Sequence, residues 1–338
     1  MKTKAQFTET FADIISVENL LAAWREFSRG KRNKKDVQMF YVRLMDHILS
    51  LRSDLRNSVY RHGPYQHFGI SDPKSRDIHK ASVRDRIVHH ALYRKLYPFF
   101  DRIFIPDSFS CRLYKGTHAT LLRFRRFACA ASMSYTKTYF ALKCDIRKFF
   151  ASIDHEVLFS VLGEYIPDKN ILRLLREVVA SFSGARAGVG LPLGNLTSQL
   201  LVNVYMNEFD RFAKHQLKAK YYLRFADDFI ILHRDKEQLT QFLPRIAEFL
   251  NIRLKLSLHP DKVFIKTFAS GIDFLGWVHF PDHRVLRTAT KRRMFRRLAE
   301  NPKDETIAAY IGMLSHGNAE KLRRKVLCYH QGDETGIC

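Results

Sequence analysis

The sequence predicts an α+β fold in which short antiparallel strands bear acidic residues and helices cover the sheet. Strand-like and helix-like segments alternate irregularly along the chain, which favours α+β layers over a doubly wound sheet. Two apolar runs, Tyr221–Phe225 and Phe229–His233, flank the adjacent carboxylates Asp227 and Asp228, a pattern typical of a β-hairpin. A third apolar run, Tyr139–Asp145, also ends on an acid. The acids are therefore expected at the end of a sheet.

The composition indicates a polyanionic partner. The 338 residues suffice for about two domains, and 57 Lys+Arg against 34 Asp+Glu give a net charge of +23. Such basic proteins usually bind nucleic acid, with membrane surfaces as the competing partner. No apolar run approaches the ~18 residues of a membrane span, and the amino terminus has no apolar signal core. The protein is therefore expected in the cytoplasm with reduced thiols at its five scattered cysteines, Cys111, Cys129, Cys144, Cys328 and Cys338.

The first third of the chain is predicted to be helical and then to form a strand pair. Residues 8–60 repeat apolar residues three and four apart, with Ser16 as a helix cap. The segment Phe68–His79 predicts two strands around a Pro turn, followed by a helix over Val83–Leu92. Lys74 and Arg76 lie in or just after this turn, where their cations can project.

The rest of the chain mixes helices with short strands. Helices are predicted from about Asp154, over 168–182, from about Thr197 to Phe212, over 236–250 and, in a basic region, from 287 onwards. Further strands are predicted at Leu254–Leu258, at Val263–Thr267 and in a small hairpin over Phe274–Phe280.

The acids acquire a chemical meaning only if they meet. A lone Asp-Asp turn is more often structural, because aspartate caps its own backbone. If the strands ending at Asp145 and Asp227-Asp228 are neighbours, three carboxylates converge, and bound divalent cations offset their repulsion. Mg²⁺ prefers oxygen ligands and substrate phosphates. Two such ions can activate a primer hydroxyl and stabilise a leaving pyrophosphate, so the pattern indicates nucleotidyl transfer.

Six blocks in this order resemble those of reverse transcriptases, from about Ser16 to Lys325. They are Asp72–Ile78, Asp145 with Phe149-Phe150, Gly190–Gln199, Phe225–Asp228, Pro260–Lys262 and Phe274–Trp277. The resemblance implies an RNA-directed DNA polymerase with a right-hand fold of fingers, palm and short helical thumb. It places the fingers at 1–140, the palm, an antiparallel sheet backed by helices, at 141–284 with a fingers insertion near 165–190, and the thumb at 285–338.

The resemblance also implies residue roles at the reaction centre. Asp145, Asp227 and Asp228 would be catalytic and, with the carbonyl of Ile146, would bind two Mg²⁺ ions, with Mn²⁺ as a substitute. Phe150 would exclude a ribose 2′-hydroxyl, although Phe149 and Phe150 could both be core residues.

Further residues would contact the nucleotide or the nucleic acid. The resemblance places Lys74 and Arg76 on the incoming triphosphate, Lys262 near the pyrophosphate, and Leu193, Gly194 and Gln199 beside the new base pair. Trp277 would belong to a primer-gripping hairpin or, with equal weight, to the core. The basic residues expected on the nucleic acid are Arg112, Lys115, Arg292, Arg293 and Arg296.

One block resembles a particular subgroup, the diversity-generating retroelement enzymes. Leu193-Gly194 and Ser198-Gln199 stand where most bacterial relatives have Gln-Gly and Ser-Pro, and Asp85–Leu92 and Asp107–His118 fit the same subgroup. These enzymes copy a template-repeat RNA into cDNA with errors opposite adenines, and a small basic accessory protein is their usual partner. Leu193 removes an amide that could hydrogen-bond near the nascent pair, and Leu193 together with Gln199 is expected to relax base selection.

Two alternatives remain open at this stage: a retron reverse transcriptase, and a non-catalytic RNA-binding or defence protein on the same fold. The short tail from Arg287 to Lys325 argues against a mobile intron protein, because no room is expected for a maturase, nuclease or RNase H extension.

Overall fold

The protein is described here from a computed structural model, which covers residues 5–70, 76–182, 184 and 186–330. In chain order the helices are α1 (Phe11–Ile14), α2 (Val17–Ser28), α3 (Lys35–Val42), α4 (Leu44–Arg56), α5 (Val83–Ile103), α6 (Thr117–Ala131), α7 (His155–Gly163), α8 (Lys169–Ala180), α9 (Leu196–Arg211), α10 (Lys236–Leu254), α11 (Thr288–Glu300), α12 (Asp304–Leu314) and α13 (Glu320–His330). The strands are β1 (Gln66–Ile70), β2 (Arg76–Lys80), β3 (Phe140–Asp145), β4 (Tyr221–Phe225), β5 (Asp228–His233), β6 (Phe264–Thr267), β7 (Ile272–Phe274), β8 (Trp277–His279) and β9 (Arg284–Leu286).

The amino-terminal helices form as predicted. The Ser16 hydroxyl caps α2 by accepting a hydrogen bond from the Asn19 amide at 3.2 Å, which satisfies one of the free donors at the helix start. Helix α5 is longer than predicted. It continues past Leu92 because its apolar face, including Leu96 and Phe100, stays buried against the core.

The central sheet has the antiparallel strand order β4-β5-β3-β6. Strand β3 pairs with β5 so that Asp145 faces Asp228, and β4 pairs with β5 so that Phe225 also faces Asp228. Two distant parts of the chain therefore end at the same edge of one sheet.

Helices and strands cover both faces of this sheet, because strand side chains alternate between faces. Leu142, Cys144 and Ile231 point to one core, which is closed by helices such as α9 and α10. Ala141 and Ile230 point to a second core with α6, β7, β8 and the carboxyl-terminal helices. The apolar runs of β3 and β5 are continuous for this reason: both faces are buried.

The strand predicted at Leu254–Leu258 is wrong. Leu254 instead ends α10, because the helix keeps burying its apolar face at Leu250 and Leu254. Lys255 then adopts a left-handed conformation (φ 48°) that terminates the helix. Leu258 contributes only an isolated bridge to Ile146.

The predicted α+β fold is confirmed, and its smaller sheets lie where strands were expected. Strands β1 and β2 form a two-stranded sheet, and β7, β8 and β9 form a three-stranded one. No helix within the described ranges combines the length and apolar character needed to cross a bilayer.

Candidate active site

Three aspartates lie together at one end of the central sheet, here called the acidic edge (Asp145, Asp227 and Asp228). Asp145 ends β3, and its cross-strand partner Asp228 begins β5. Facing side chains in an antiparallel pair lie on the same side of the sheet with their Cβ atoms about 5 Å apart. Asp227 lies in the tight turn before β5, and its carbonyl accepts a hydrogen bond from the Ile146 amide at 3.2 Å. The register thus ties the turn to the end of β3.

Two lysines pair with the acidic edge. Lys143 Nζ lies 2.8 Å from Asp228 Oδ1, and Lys262 Nζ donates a hydrogen bond of 3.0 Å to Asp145 Oδ1. Lys143 precedes Asp145 by two positions on β3 and therefore shares its face, a signal that the sequence contains. Lys262 follows the turn after Leu258, and the His259 amide anchors this segment by donating to the Asp145 carbonyl at 2.7 Å.

Burial makes Asp228 the most perturbed carboxyl of the group. Its burial raises the pKa to about 6, the Lys143 ammonium opposes that rise, and the charges of Asp145 and Asp227 add to it. The Lys143 ammonium lies against the buried Oδ1 of Asp228, so this carboxylate oxygen already faces a cation in the free protein. Buried carboxylate charge of this kind requires a cationic partner.

The donor set fits divalent cations of the Mg²⁺ type, which take carboxylate and carbonyl oxygens. Ile146 and Leu258 are paired in an isolated β-bridge. Its hydrogen bonds are donated by the Arg147 and His259 amides to the Ser257 and Asp145 carbonyls, so the Ile146 carbonyl is not used in the bridge. Within the described ranges, however, no three His, Cys, Asp or Glu side chains form a ready metal-binding group. The lysine ammonium groups instead neutralise two of the carboxylates. The metal-binding role of the acidic edge stays a prediction.

A buried arginine that sequence reasoning missed supports the turn. Arg224 on β4 is 1% exposed and forms two hydrogen bonds with Asp210 of α9, at 2.8 and 2.7 Å. It also donates to the carbonyl of Ala226 at 3.0 Å, directly before Asp227. Ala226 has a left-handed conformation (φ 56°), so the turn needs such support. The sequence does contain a signal for this residue, because Arg224 is a charged side chain within an otherwise apolar strand.

The two phenylalanines that follow β3 both pack against the first core but differ in burial. Phe149 is buried, whereas Phe150 is only half-buried, and both lie in a 3₁₀ turn at Phe149–Ser152. The carbonyl of Phe150 accepts a hydrogen bond from the Leu191 amide at 2.8 Å. This contact joins the turn to the Gly-rich loop that leads into α9. The role of Phe150 as a gate stays a prediction.

The loop residues Leu193 and Gly194 lie against β2. The His79 amide donates to the Leu193 carbonyl at 3.1 Å, and the Asn195 side chain donates to the His79 carbonyl at 3.2 Å. Gly194 has φ 102°, and an added Cβ would lie 2.9 Å from Ile78 Cγ2. A side chain is excluded here on two grounds, conformation and space.

The remaining nucleotide-binding predictions fall near the same loop. Arg76 begins β2 and is exposed, while Gln199 is half-buried in the first turns of α9. Lys74 lies outside the described residues. Their contacts with a nucleotide stay predictions.

The prediction that Arg112 contacts nucleic acid is wrong. Its side chain is 5% exposed, and its guanidinium donates to Asp101 Oδ1 at 2.6 Å and to the Ile105 and Ser108 carbonyls. These bonds hold the segment after α5 and leave no donor surface for a phosphate. Neighbouring Lys115 is half-buried, donates to the Pro106 carbonyl and lies 5.2 Å from the Phe109 ring centroid.

Trp277 belongs to the core, which was one of its two interpretations. It is 3% exposed on β8, so its ring cannot stack on a primer. Among the basic residues of α11, Arg292 and Arg296 are exposed and Arg293 is half-buried, while Met294 and Leu298 point into the core. The exposed face of this helix is therefore cationic.

Comparison with known proteins agrees with this arrangement. Residues 71–279 match the family model described as reverse transcriptase (RNA-dependent DNA polymerase). The match includes β2, the acidic edge and the strands β7 and β8 of the three-stranded sheet.

Relatives align over most of the chain at low identity. Protein YkfC of Escherichia coli (strain K12) is 24% identical over 310 residues, which cover 79% of this chain and 78% of that protein. The group II intron-encoded protein LtrA of Lactococcus lactis subsp. cremoris is 20% identical over 317 residues, covering 73% of this chain and 51% of LtrA. The chain thus spans about half the length of the intron-encoded relative. With the acidic edge and the family match both in hand, the chain belongs to the reverse transcriptase family of RNA-dependent DNA polymerases.

Proposed function

We propose that this protein copies a template-repeat RNA into cDNA, with low fidelity at template adenines, as the polymerase of a diversity-generating retroelement. Template and primer nucleic acids and deoxynucleoside triphosphates are the substrates of its family, which generally uses divalent metal ions. The observation that carries the polymerase chemistry is the register that pairs Asp145 with Asp228 next to Asp227.

In this proposal Asp145, Asp227, Asp228 and the Ile146 carbonyl hold two Mg²⁺ ions. When bound, the ions activate the primer 3′-hydroxyl and stabilise the leaving pyrophosphate. Lys143 and Lys262 neutralise the carboxylates of the free enzyme. Lys262, which donates a hydrogen bond to Asp145 in the free protein, would be the cation nearest to the pyrophosphate.

Around this centre the chain provides three contact surfaces. Phe150 excludes the ribose 2′-hydroxyl, and Lys74 and Arg76 neutralise the triphosphate. The exposed arginines of α11 follow phosphates without reading bases. The corresponding division of the chain is fingers at 1–140, palm at 141–284 and thumb at 285–338.

The polymerase proposal is tested by primer extension on a defined RNA template with Mg²⁺. Asp227→Asn keeps the size of the side chain and removes its charge, so extension is expected to fall at least a hundredfold. Asp46→Asn, which changes an exposed acid on α4, is the matched control and should retain activity. Tight RNA binding without extension by the unaltered protein, even with an accessory protein supplied, would instead support a binding function.

The subtype proposal rests on the residues that face β2. Leu193 and Gly194 form the described contact with β2, and an aliphatic side chain at position 193 offers no hydrogen bond to a base pair. The loss of such a contact weakens discrimination by about 1–3 kcal/mol at most.

Leu193→Gln restores an amide and is expected to lower misincorporation at template adenines by about tenfold. Sequencing of cDNA made from one RNA template measures the error spectrum, and Leu191→Met, a buried neighbour in the same loop, is the control. An unchanged adenine spectrum in Leu193→Gln would remove this explanation of low fidelity while leaving polymerase activity intact.

A further inference from the structure

A pocket of about 320 Å³ lies where α6, the β8–β9 hairpin and the loop between α12 and α13 meet. Its volume is at the lower end of the range for small-molecule sites. Arg125 of α6, Arg284 of β9 and His316 of the loop line it, together with aromatic side chains such as Tyr135 and Phe280. The walls are therefore cationic and aromatic.

The positive charge of this pocket is not compensated in the way that is usual for this protein. Elsewhere, partly buried arginines such as Arg84, Arg86 and Arg123 each form an ion pair with an aspartate. Within the described residues, by contrast, no carboxylate forms an ion pair with Arg125 or Arg284.

The acid that lines the pocket, Asp282, is engaged by its neighbour. It accepts a hydrogen bond of 2.7 Å from His283 Nδ1. Arg284 is half-buried, with its guanidinium carbon 5.4 Å from the centroid of Trp277, and burial and the charge of Arg125 both lower its pKa. Half-buried Arg284 and exposed Arg125 carry like charges in this pocket, and an anion bound beside them would offset their repulsion.

His316, which lines the pocket, lies against a second histidine, His118. The ring centroids of His118 and His316 lie 3.7 Å apart. Burial and the charges of His118 and Arg284 lower the pKa of His316. Imidazole and guanidinium groups together are suited to oxyanions, since both provide fixed N–H donors.

The pocket is separate from the acidic edge. Phe268 lines the pocket, and its amide donates a hydrogen bond of 3.1 Å to the carbonyl of Tyr139, the residue just before β3. Asp145 ends the same strand, five residues beyond Phe140, a distance of about 17 Å along an extended chain. The pocket is thus not the site of the incoming triphosphate.

We propose that the pocket lined by Arg125, Arg284 and His316 is a binding site for a phosphate group. The phosphate belongs either to the backbone of a bound RNA or cDNA strand, which rests on the proposed function, or to a free compound such as pyrophosphate. Arg284 closes the inner end of the site, and Arg125 lies at its exposed rim.

The test measures binding by the full chain in EDTA, so that no metal-bound phosphate can form at the acidic edge. Arg125→Gln and Arg284→Gln are compared with Arg126→Gln, which removes the same charge from the exposed neighbour on α6 outside the pocket. Thermal unfolding checks the fold of each variant. Arg125→Gln keeps the test valid if Arg284→Gln fails to fold, because Arg125 is exposed.

The two ligands distinguish the sources. If the phosphate is part of a strand, both pocket variants should bind an RNA–DNA hybrid about tenfold more weakly than Arg126→Gln, with a smaller salt dependence. If it is free, pyrophosphate should bind the unaltered protein and Arg126→Gln in calorimetry but not the pocket variants. Pocket variants that bind both ligands as Arg126→Gln does would overturn the proposal. Primer extension is not part of this readout, so its failure and that of the polymerase proposal remain distinct.

Discussion

At the scale of single residues, charge pairing decides how the acidic edge is held before substrate binds. Lys143 and Lys262 neutralise Asp228 and Asp145, yet Asp228 is buried enough that its pKa rises to about 6. Arg224 supports the same turn through the carbonyl of Ala226. Lys143 lies two residues before Asp145 on the same strand and Arg224 lies within an apolar strand, so the local sequence marks both, whereas Lys262 reaches Asp145 from a distant part of the chain.

The raised pKa of Asp228 predicts a pH-dependent stability. The folded protein binds this proton more tightly than the unfolded chain, whose reference value is 3.8. Ionisation of this carboxylate therefore destabilises the folded protein. The destabilisation is absent below about pH 4, grows as the pH rises, and is complete above about pH 6. In EDTA, the unfolding free energy of Asp228→Asn relative to the unaltered protein should rise by on the order of 2 kcal/mol between pH 4 and 7.5.

Urea unfolding across this pH range measures the difference. The other titrating groups change the unfolding free energy of both proteins alike. The difference between the two free energies therefore reports the titration of position 228. The exposed Asp261→Asn should run parallel to the unaltered protein. A pH-independent difference for Asp228→Asn would contradict the argument.

At the scale of elements, the contact between β2 and the loop before α9 connects two parts of the chain more than 100 residues apart. The loop carbonyl of Leu193 and the side chain of Asn195 both bind the backbone of His79. Gly194 permits this approach through its positive φ and its missing side chain. The predicted nucleotide contacts at Arg76 and Leu193 depend on this alignment.

Gly194→Ala is expected to disturb that alignment. A Cβ at 2.9 Å from Ile78 Cγ2 and a φ of 102° together cost about 1–3 kcal/mol of stability. Because the strand must shift, the KM for deoxynucleoside triphosphates should rise severalfold more than kcat falls. Thermal unfolding and steady-state primer extension measure the two effects.

Gly69→Ala provides the matched control. Gly69 lies in β1 of the same two-stranded sheet, and nothing lies within 4 Å of its added Cβ. Its kinetics should match those of the unaltered protein. Equal effects from both substitutions would mean that general flexibility of the hairpin, rather than the contact with Ile78, governs the KM.

At the scale of the whole molecule, one sheet with two buried faces carries a chain of net charge +23. The cores supply the rigidity, and exposed arginines such as Arg292 and Arg296 on α11 supply the electrostatic surface. Contacts of this kind release counterions when a nucleic acid binds, whatever its sequence.

Affinity for single-stranded RNA should therefore fall steeply with salt. About six phosphate contacts give a slope near −4 in a plot of log K against log salt, and Arg292→Gln should reduce its magnitude by somewhat less than one. Fluorescence anisotropy over a KCl series measures the slope. Arg43→Gln, an exposed arginine paired with Asp46, removes the same net charge as a comparison. A slope near zero would contradict phosphate-dominated binding.

The sequence by itself determined the α+β class, most element positions and the three acids, because these follow from local periodicity, turn chemistry and motif order. Only the tertiary structure decided which side chains remain available. From the sequence, Arg112 and Trp277 were predicted to contact nucleic acid, yet packing buries both side chains. Arg125 and Arg284, which are 159 residues apart in the sequence, line the same pocket. Burial and charge pairing depend on contacts between distant parts of the chain, and local patterns do not encode them.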